Sequence, residues 1–142
     1  MKNKKAGFIL VCAAVITLIS IWALCYIDKS PEKITPDTRV EVKISSADLL
    51  ASFIEDESKA NSDFVERVIQ VKGVVKEVTF LNNRYTVLLQ GQGEYACLIC
   101  DMDEDEVGQI NEVTIGDTIT LKGVCKGFLM DAILLNCVLV NP

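Results

Sequence analysis

Hydrophobic and polar positions divide this chain into three stretches. From Ala6 to Ile27 no charged residue interrupts the apolar run. At about 1.5 Å per residue, a helix of that length spans roughly 33 Å, enough for the hydrocarbon core of a bilayer. Residues 28–43 are charged, carry Pro31 and Pro36 and hold few apolar side chains, which predicts an extended linker. From Ile44 onward the apolar positions recur first at helical and then at strand spacing. Ser45-Ser46-Ala47-Asp48 has the form of a capping box, a serine followed three residues on by a carboxylate. Leu49, Leu50, Phe53, Ile54, Ala60 and Phe64 then mark one amphipathic helix, with Glu55, Asp56, Glu57 and Lys59 between them.

After Phe64 the period changes to two. Val65 to Phe80 predicts a long first strand, with Gly73 as the place for a bulge or sharp bend. Leu81-Asn82-Asn83-Arg84 is a hairpin turn, Tyr85 to Gln90 a second strand, and Gly91-Gln92-Gly93-Glu94 a second turn. Tyr95 to Met102 makes a third strand, and an acidic, helix-capable connection runs from Asp103 to Val113. Thr118 to Cys125 and Ala132 to Val140 supply strands four and five, joined by a hairpin tip at Lys126 to Asp131. Five strands, a glycine-kinked first strand, a leading helix and a short helix between strands three and four describe a mainly β OB-fold barrel. Another small antiparallel barrel or sandwich is the alternative.

The apolar run adds an address to this fold. Signal-peptide cores are shorter and end in small residues, whereas this run ends in Ile21-Trp22-Ala23-Leu24-Cys25-Tyr26. Neither Cys12 nor Cys25 is preceded by the small residue a lipoprotein signal needs. Trp22 and Tyr26 suit the headgroup belt, and Lys2, Lys4 and Lys5 precede the run. The expectation is an uncleaved single-pass anchor over 6–27, with tail 1–5 cytoplasmic, linker 28–43, and a domain over 44–142 on the extracytoplasmic side of the cell membrane. Beyond residue 27 stand 11 basic and 20 acidic residues, a net charge of −9. Such a field repels phosphate backbones and anionic lipid alike.

The segments ISSADLLASF, ESKANSDFVERVIQVKGVV, LICDMD, IGDTITLKGVCKG and ILLNC carry a family resemblance from Ile44 to about Val140. They resemble the tRNA-anti-like OB-fold family of small bacterial proteins. The resemblance implies a β-barrel with a leading helix, often behind an export signal or anchor. It implies kinship of fold with nucleic-acid-binding barrels and no catalytic residues.

The ligand surface of an OB barrel is the face of strands two and three with the loops one–two and four–five. Alternation turns Tyr85, Val87 and Leu89 inward and leaves Arg84, Thr86, Leu88 and Gln90 outside. On strand three Tyr95, Cys97, Ile99 and Asp101 face out, while Ala96, Leu98, Cys100 and Met102 point in. A nucleic-acid platform needs stacking aromatics and a basic groove, and this face offers little beyond Tyr95 and Arg84. Phe128, Leu129 and Met130 at the last hairpin tip either plug the barrel end or mark a contact.

Candidate chemistry is sparse. Cys97-Leu98-Ile99-Cys100 has redox and zinc spacing, but in a strand the two thiols point to opposite faces and the chain has no histidine. Cys125 and Cys137 flank one hairpin and share the inward face with Cys100, so either a disulfide in an oxidising compartment or three small buried hydrophobes is expected. Asp101, Asp103, Asp105 and Glu112 match calcium-loop positions, yet Glu106 stands where that loop requires glycine. A solvated acidic helix start is the simpler reading. No nucleophile has a visible base, so the expectation is a non-enzyme without cofactor or metal. The sequence therefore predicts a membrane-anchored OB-fold binding module with an envelope protein or peptide as partner. An oligosaccharide or single-stranded nucleic acid is the alternative ligand.

Overall fold

The computed structural model describes residues 13–22, 33–93 and 95–140. The chain divides into two compact units, Met1–Lys33 and Ile34–Pro142. In the first, residues 13–22 are helical, and Val15, Ile16, Leu18, Ile19, Ile21 and Trp22 are exposed. Both hydroxyls turn back on the helix: Thr17 Oγ1 donates to the Ala14 carbonyl and Ser20 Oγ to that of Ile16, each at 2.8 Å. The outer surface is thereby left apolar. Among the described residues no helix is long and apolar enough to cross a membrane. The rest of the expected span, 6–12 and 23–27, and the tail 1–5 lie outside the described residues.

The second unit contains β1 (Val42–Ser45), α1 (Ser46–Glu55), α2 (Glu57–Phe64), β2 (Val68–Leu81), β3 (Arg84–Gln90), β4 (Cys97–Met102), a 3-10 turn (Glu104–Glu106), α3 (Val107–Ile110), β5 (Thr118–Phe128) and β6 (Ala132–Leu139). The sheet order is β1-β2-β3-β4-β6-β5, and β2 closes the barrel by pairing with β5. One long strand serves both neighbours: Val68–Val74 pairs with β5 and Val75–Leu81 with β3. β2 to β6 form the expected closed five-stranded barrel. The first hairpin turns through Asn82 and Asn83, both at positive φ (51° and 63°), as a two-residue type I′ connection requires.

Three expectations are corrected. The leading helix is two helices, because Asp56 leaves helical geometry (φ −150°, ψ 89°) and its carboxylate accepts from Lys59 N at 3.0 Å to start α2. The irregularity in β2 falls between Val75 and Glu77 rather than at Gly73. Gly73 is instead a point of close approach, since a Cβ there would lie 2.5 Å from Ser46 Oγ. Ser46 Oγ in turn donates to the Gln90 carbonyl at 2.6 Å, fixing the start of α1 to the end of β3. Finally, residues 34–43 of the expected linker are not a free tether but belong to the second unit. β1 pairs in parallel with β2, Val42 opposite Ile69 to Ser45 opposite Lys72, and Ile34 is buried. Lys122, itself buried, donates through Nζ to the carbonyls of Pro36 and Thr38.

The expected serine cap at the start of α1 is present. Asp48 N donates to Ser45 Oγ at 3.0 Å, and Ser45 Oγ to Asp48 Oδ2 at 2.6 Å. Leu49, Leu50 and Phe53 of α1 are fully or almost fully buried among the inward side chains Val71, Val87, Leu89, Leu98 and Leu134. Ile110 of α3 joins the same core. Burying side chains of this size contributes about 1.5–3 kcal/mol each.

Candidate functional site

Alternation along β3 and β4 sorts their side chains as expected. Val87, Leu89, Leu98, Cys100 and Met102 are buried, while Thr86, Leu88, Ile99 and Asp101 lie half-buried on the outer wall. The register sets them in rows. Leu88 stands opposite Ile99, and Ile99 opposite Ile133 of β6, giving an apolar row across three strands. Thr79, Thr86 and Asp101 form the next row. Arg84 lies beyond it, and its Nη2 meets Asp101 Oδ2 at 3.3 Å. The cation that sequence reasoning assigned to this face is therefore matched by a carboxylate on the same face.

The two loops beside the wall expose apolar side chains. At the first hairpin, Phe80 and Leu81 are exposed, and the Phe80 ring contacts that of Tyr85 at 4.5 Å. At the last hairpin, β5 runs on to Phe128, so the tip is shorter than expected. Phe128 and its neighbours separate there. The Phe128 ring stacks on Phe53 of α1 at 5.6 Å and 12°, whereas Leu129 and Met130 are 87 % and 83 % exposed. Tyr95, expected on strand three, precedes the strand and is 94 % exposed. Its loop emerges beside the tip, because Cys97 N donates to Asp131 Oδ1 at 2.7 Å and Leu98 pairs with Ala132. The structure thus ties the end of the loop that carries Tyr95 to the hairpin that carries Leu129 and Met130. Ile133, Phe80 and Leu81 were missed in the sequence. Alternation on the last strand is the signal for Ile133; for the other two it is the strand running up to the Asn-Asn turn.

Among the described residues, Cys97, Cys100, Cys125 and Cys137 are all free. Cys97 faces outward but is 7 % exposed, and Lys76 Nζ donates to its sulfur at 3.3 Å. Cys100, on the opposite face, is fully buried, as are Cys125 and Cys137. Of the two expectations for these three, the structure has the buried free thiols, with no bond between Cys125 and Cys137. Burial pushes the Cys137 thiol well above its ordinary range, with Cys100 and the Asp101 charge adding to it. Burial also raises Cys125, against a lowering contact with the Gly127 backbone. In the acidic stretch Asp101 is drawn to Arg84, and Asp103 Oδ1 accepts from Asp105 N at 3.1 Å to open the 3-10 turn. Among the described residues no three His, Cys, Asp or Glu side chains converge as metal ligands.

A shallow cleft of about 620 Å³ opens elsewhere, on the β2–β5 wall. Its carboxylate, Asp117, is already occupied by the backbone N–H and hydroxyl of Thr114, which hold its pKa below the ordinary carboxylate value. The outer wall of β3, β4 and β6 with its two apolar loops is the better candidate.

Comparison with known proteins agrees with this architecture. The tRNA_anti-like family model matches residues 1–139. A candidate nucleic acid-binding lipoprotein from Klebsiella pneumoniae superposes with a TM-score of 0.55 at 17 % identity, over 68 % of this chain and 91 % of that one. The Stn1–Ten1 complex of S. pombe gives a TM-score of 0.42 at 12 % identity, over 53 % of this chain and 59 % of that one. No curated protein matches the sequence. At 17 % identity the Klebsiella pneumoniae structure speaks to the fold alone.

Proposed function

Because the chain belongs to the tRNA_anti-like family, a family named for its binding fold, we propose that its barrel is a non-catalytic module that takes a protein or peptide segment on the β3–β4–β6 wall. The apolar run 6–27 anchors it in the cell membrane with the barrel on the extracytoplasmic side. One observation carries the reading of the wall: the row Leu88, Ile99 and Ile133, beside a hairpin tip where Tyr95, Leu129 and Met130 are exposed. An apolar surface of this kind gains by burial against another apolar surface. It offers a polyanion little, since Arg84 already has its carboxylate and the exported sequence is strongly acidic.

A photo-crosslinking side chain at Leu129, in the full-length protein in its own membrane, tests this reading. Discrete protein adducts that disappear in a Met130→Ser, Tyr95→Ser background are the expected result. Both substituted residues are more than four-fifths exposed, so the fold is not at stake. Single-stranded nucleic acid or oligosaccharide on the same wall is the second reading, and the description of the Klebsiella pneumoniae lipoprotein speaks for it. Salt-sensitive, submicromolar binding of oligonucleotides by the purified protein would replace the first reading with the second. Orientation has its own test. A phosphatase fused after Pro142 is expected to be active, and activity only of a cytoplasm-specific reporter would reverse the assignment.

A further inference from the structure

The apolar row on the β3–β4–β6 wall has a direction as well as a composition. Its register extends over five strands. Glu77 of β2 stands opposite Leu88, Leu88 opposite Ile99, Ile99 opposite Ile133, and Ile133 opposite Gly127 of β5. The row therefore crosses the strands, with an exposed carboxylate at one end and a residue without a side chain at the other. Leu88, Ile99 and Ile133 are half-buried, so each presents part of its side chain outward. The apolar part is one residue wide along β3 and β4. Thr86 and Asp101 form the row on one flank, and Gln90 and Cys97 the row on the other. Lys76 Nζ donates to the Cys97 sulfur at 3.3 Å, which makes the second flank polar too.

Neighbouring strands lie about 4.8 Å apart, so the row covers about 10 Å from Leu88 to Ile133. An extended segment laid along the row sets its same-face side chains about 6.6 Å apart and falls out of step with it. Laid along a strand instead, such a segment leaves the row after one side chain and meets the polar flanks. A helix rises about 5.4 Å per turn, and its side chains at i, i+3 or i+4, and i+7 span about 10 Å. That spacing keeps three side chains on the row. We infer that the segment bound by this wall is an amphipathic helix lying across β3, β4 and β6. Its apolar side chains, one per turn, seat on Leu88, Ile99 and Ile133. One turn beyond Leu88 it carries a lysine or arginine, which meets Glu77. Charge complementarity supports that last element. Among the described residues Glu77 enters no ion pair, and the strongly acidic sequence beyond residue 27 favours a basic partner. The inference rests on the reading of this wall as a protein-binding surface and adds the conformation and pattern of what binds there.

Aliphatic diazirine side chains, placed singly at Leu88 and at Ile133 of the full-length protein in its own membrane, test the conformation. The adducts are mapped to residues of the partner by mass spectrometry. The residues captured from the two positions are expected to lie about 6–7 apart in the partner's sequence, the helical equivalent of 10 Å. A separation of about 3 is that of an extended segment. It overturns the helix and leaves the protein-binding reading standing. No protein adduct from Leu88, Ile133 or Leu129 defeats that reading, and the helix with it. Should a diazirine variant fail to fold, the segment captured by the other, or at Leu129, is synthesised. Proline at its centre is expected to weaken binding to the wild-type barrel at least about tenfold relative to alanine there. Equal affinities overturn the helix. Glu77→Lys changes an exposed residue and is expected to lower the yield of the Leu129 adduct at least about threefold, by setting like charges together. An unchanged yield overturns the seating of a basic residue on Glu77.

Discussion

Single residues carry much of the specification in this barrel. Gly73 admits Ser46 of α1 so closely that Gly73→Ala must push the helix start or break the Ser46 bond to Gln90. A loss of about 1–3 kcal/mol in denaturant unfolding is expected, from overpacking at a tight contact. Sequence reasoning singled out Gly73 for the wrong reason, because the atom it must avoid belongs to a residue 27 positions away. The cysteines allow a pH prediction. Cys137 and Cys125 have raised thiol pKa values in the folded, reduced protein. An unfolded thiol loses its proton near pH 8.5. Above that pH the unfolded state binds fewer protons than the folded one, so stability falls as pH rises and is independent of these groups below it. The thermal midpoint of the reduced protein is expected to drop between pH 8 and 10, and by less in Cys137→Ala. Equal slopes in the two proteins would refute the assignment to Cys137.

At the scale of elements, legibility followed the origin of the signal. β3 and β4 were readable because a barrel buries one side of each strand, and Val87, Leu89, Leu98 and Cys100 keep that period. The division between α1 and α2 was not, since Phe53, Ala60 and Phe64 stay in helical phase across it while only Asp56 departs. Asp56→Ala removes the cap of α2 and is expected to cost about 1 kcal/mol, measured by equilibrium unfolding. β1 was hidden for another reason: four residues in a charged context become a strand only through parallel pairing with β2. The neighbouring strap, 34–41, depends on Lys122, whose ammonium is satisfied by two of its carbonyls. Replacing Lys122 with Met removes both bonds, with an expected loss of about 2 kcal/mol. Hydrogen exchange should accelerate at Thr38 and Glu41, which donate within the strap and to Val68, and stay unchanged in β4. Uniform acceleration across the barrel would show that Lys122 supports the whole fold rather than the strap.

On the scale of the molecule, the fold class was legible because chain order, strand count and the connection after strand three all pointed to one barrel. The candidate wall was only half legible. Leu88 and Ile99 could be placed from their own strands, but Ile133 joins them through a parallel pairing between β4 and β6, which no local pattern announces. The last hairpin is likewise tied to the start of β4 through Asp131, a side chain bonded to the backbone of Cys97. The seating of residues 34–41 changes what the chain can do as a leash. With those residues fixed to the barrel, six residues, 28–33, separate it from the end of the apolar run. Even fully extended, six residues reach only about 20 Å. On the anchoring proposed above, any target of the barrel would have to present its binding segment within that reach of the apolar run.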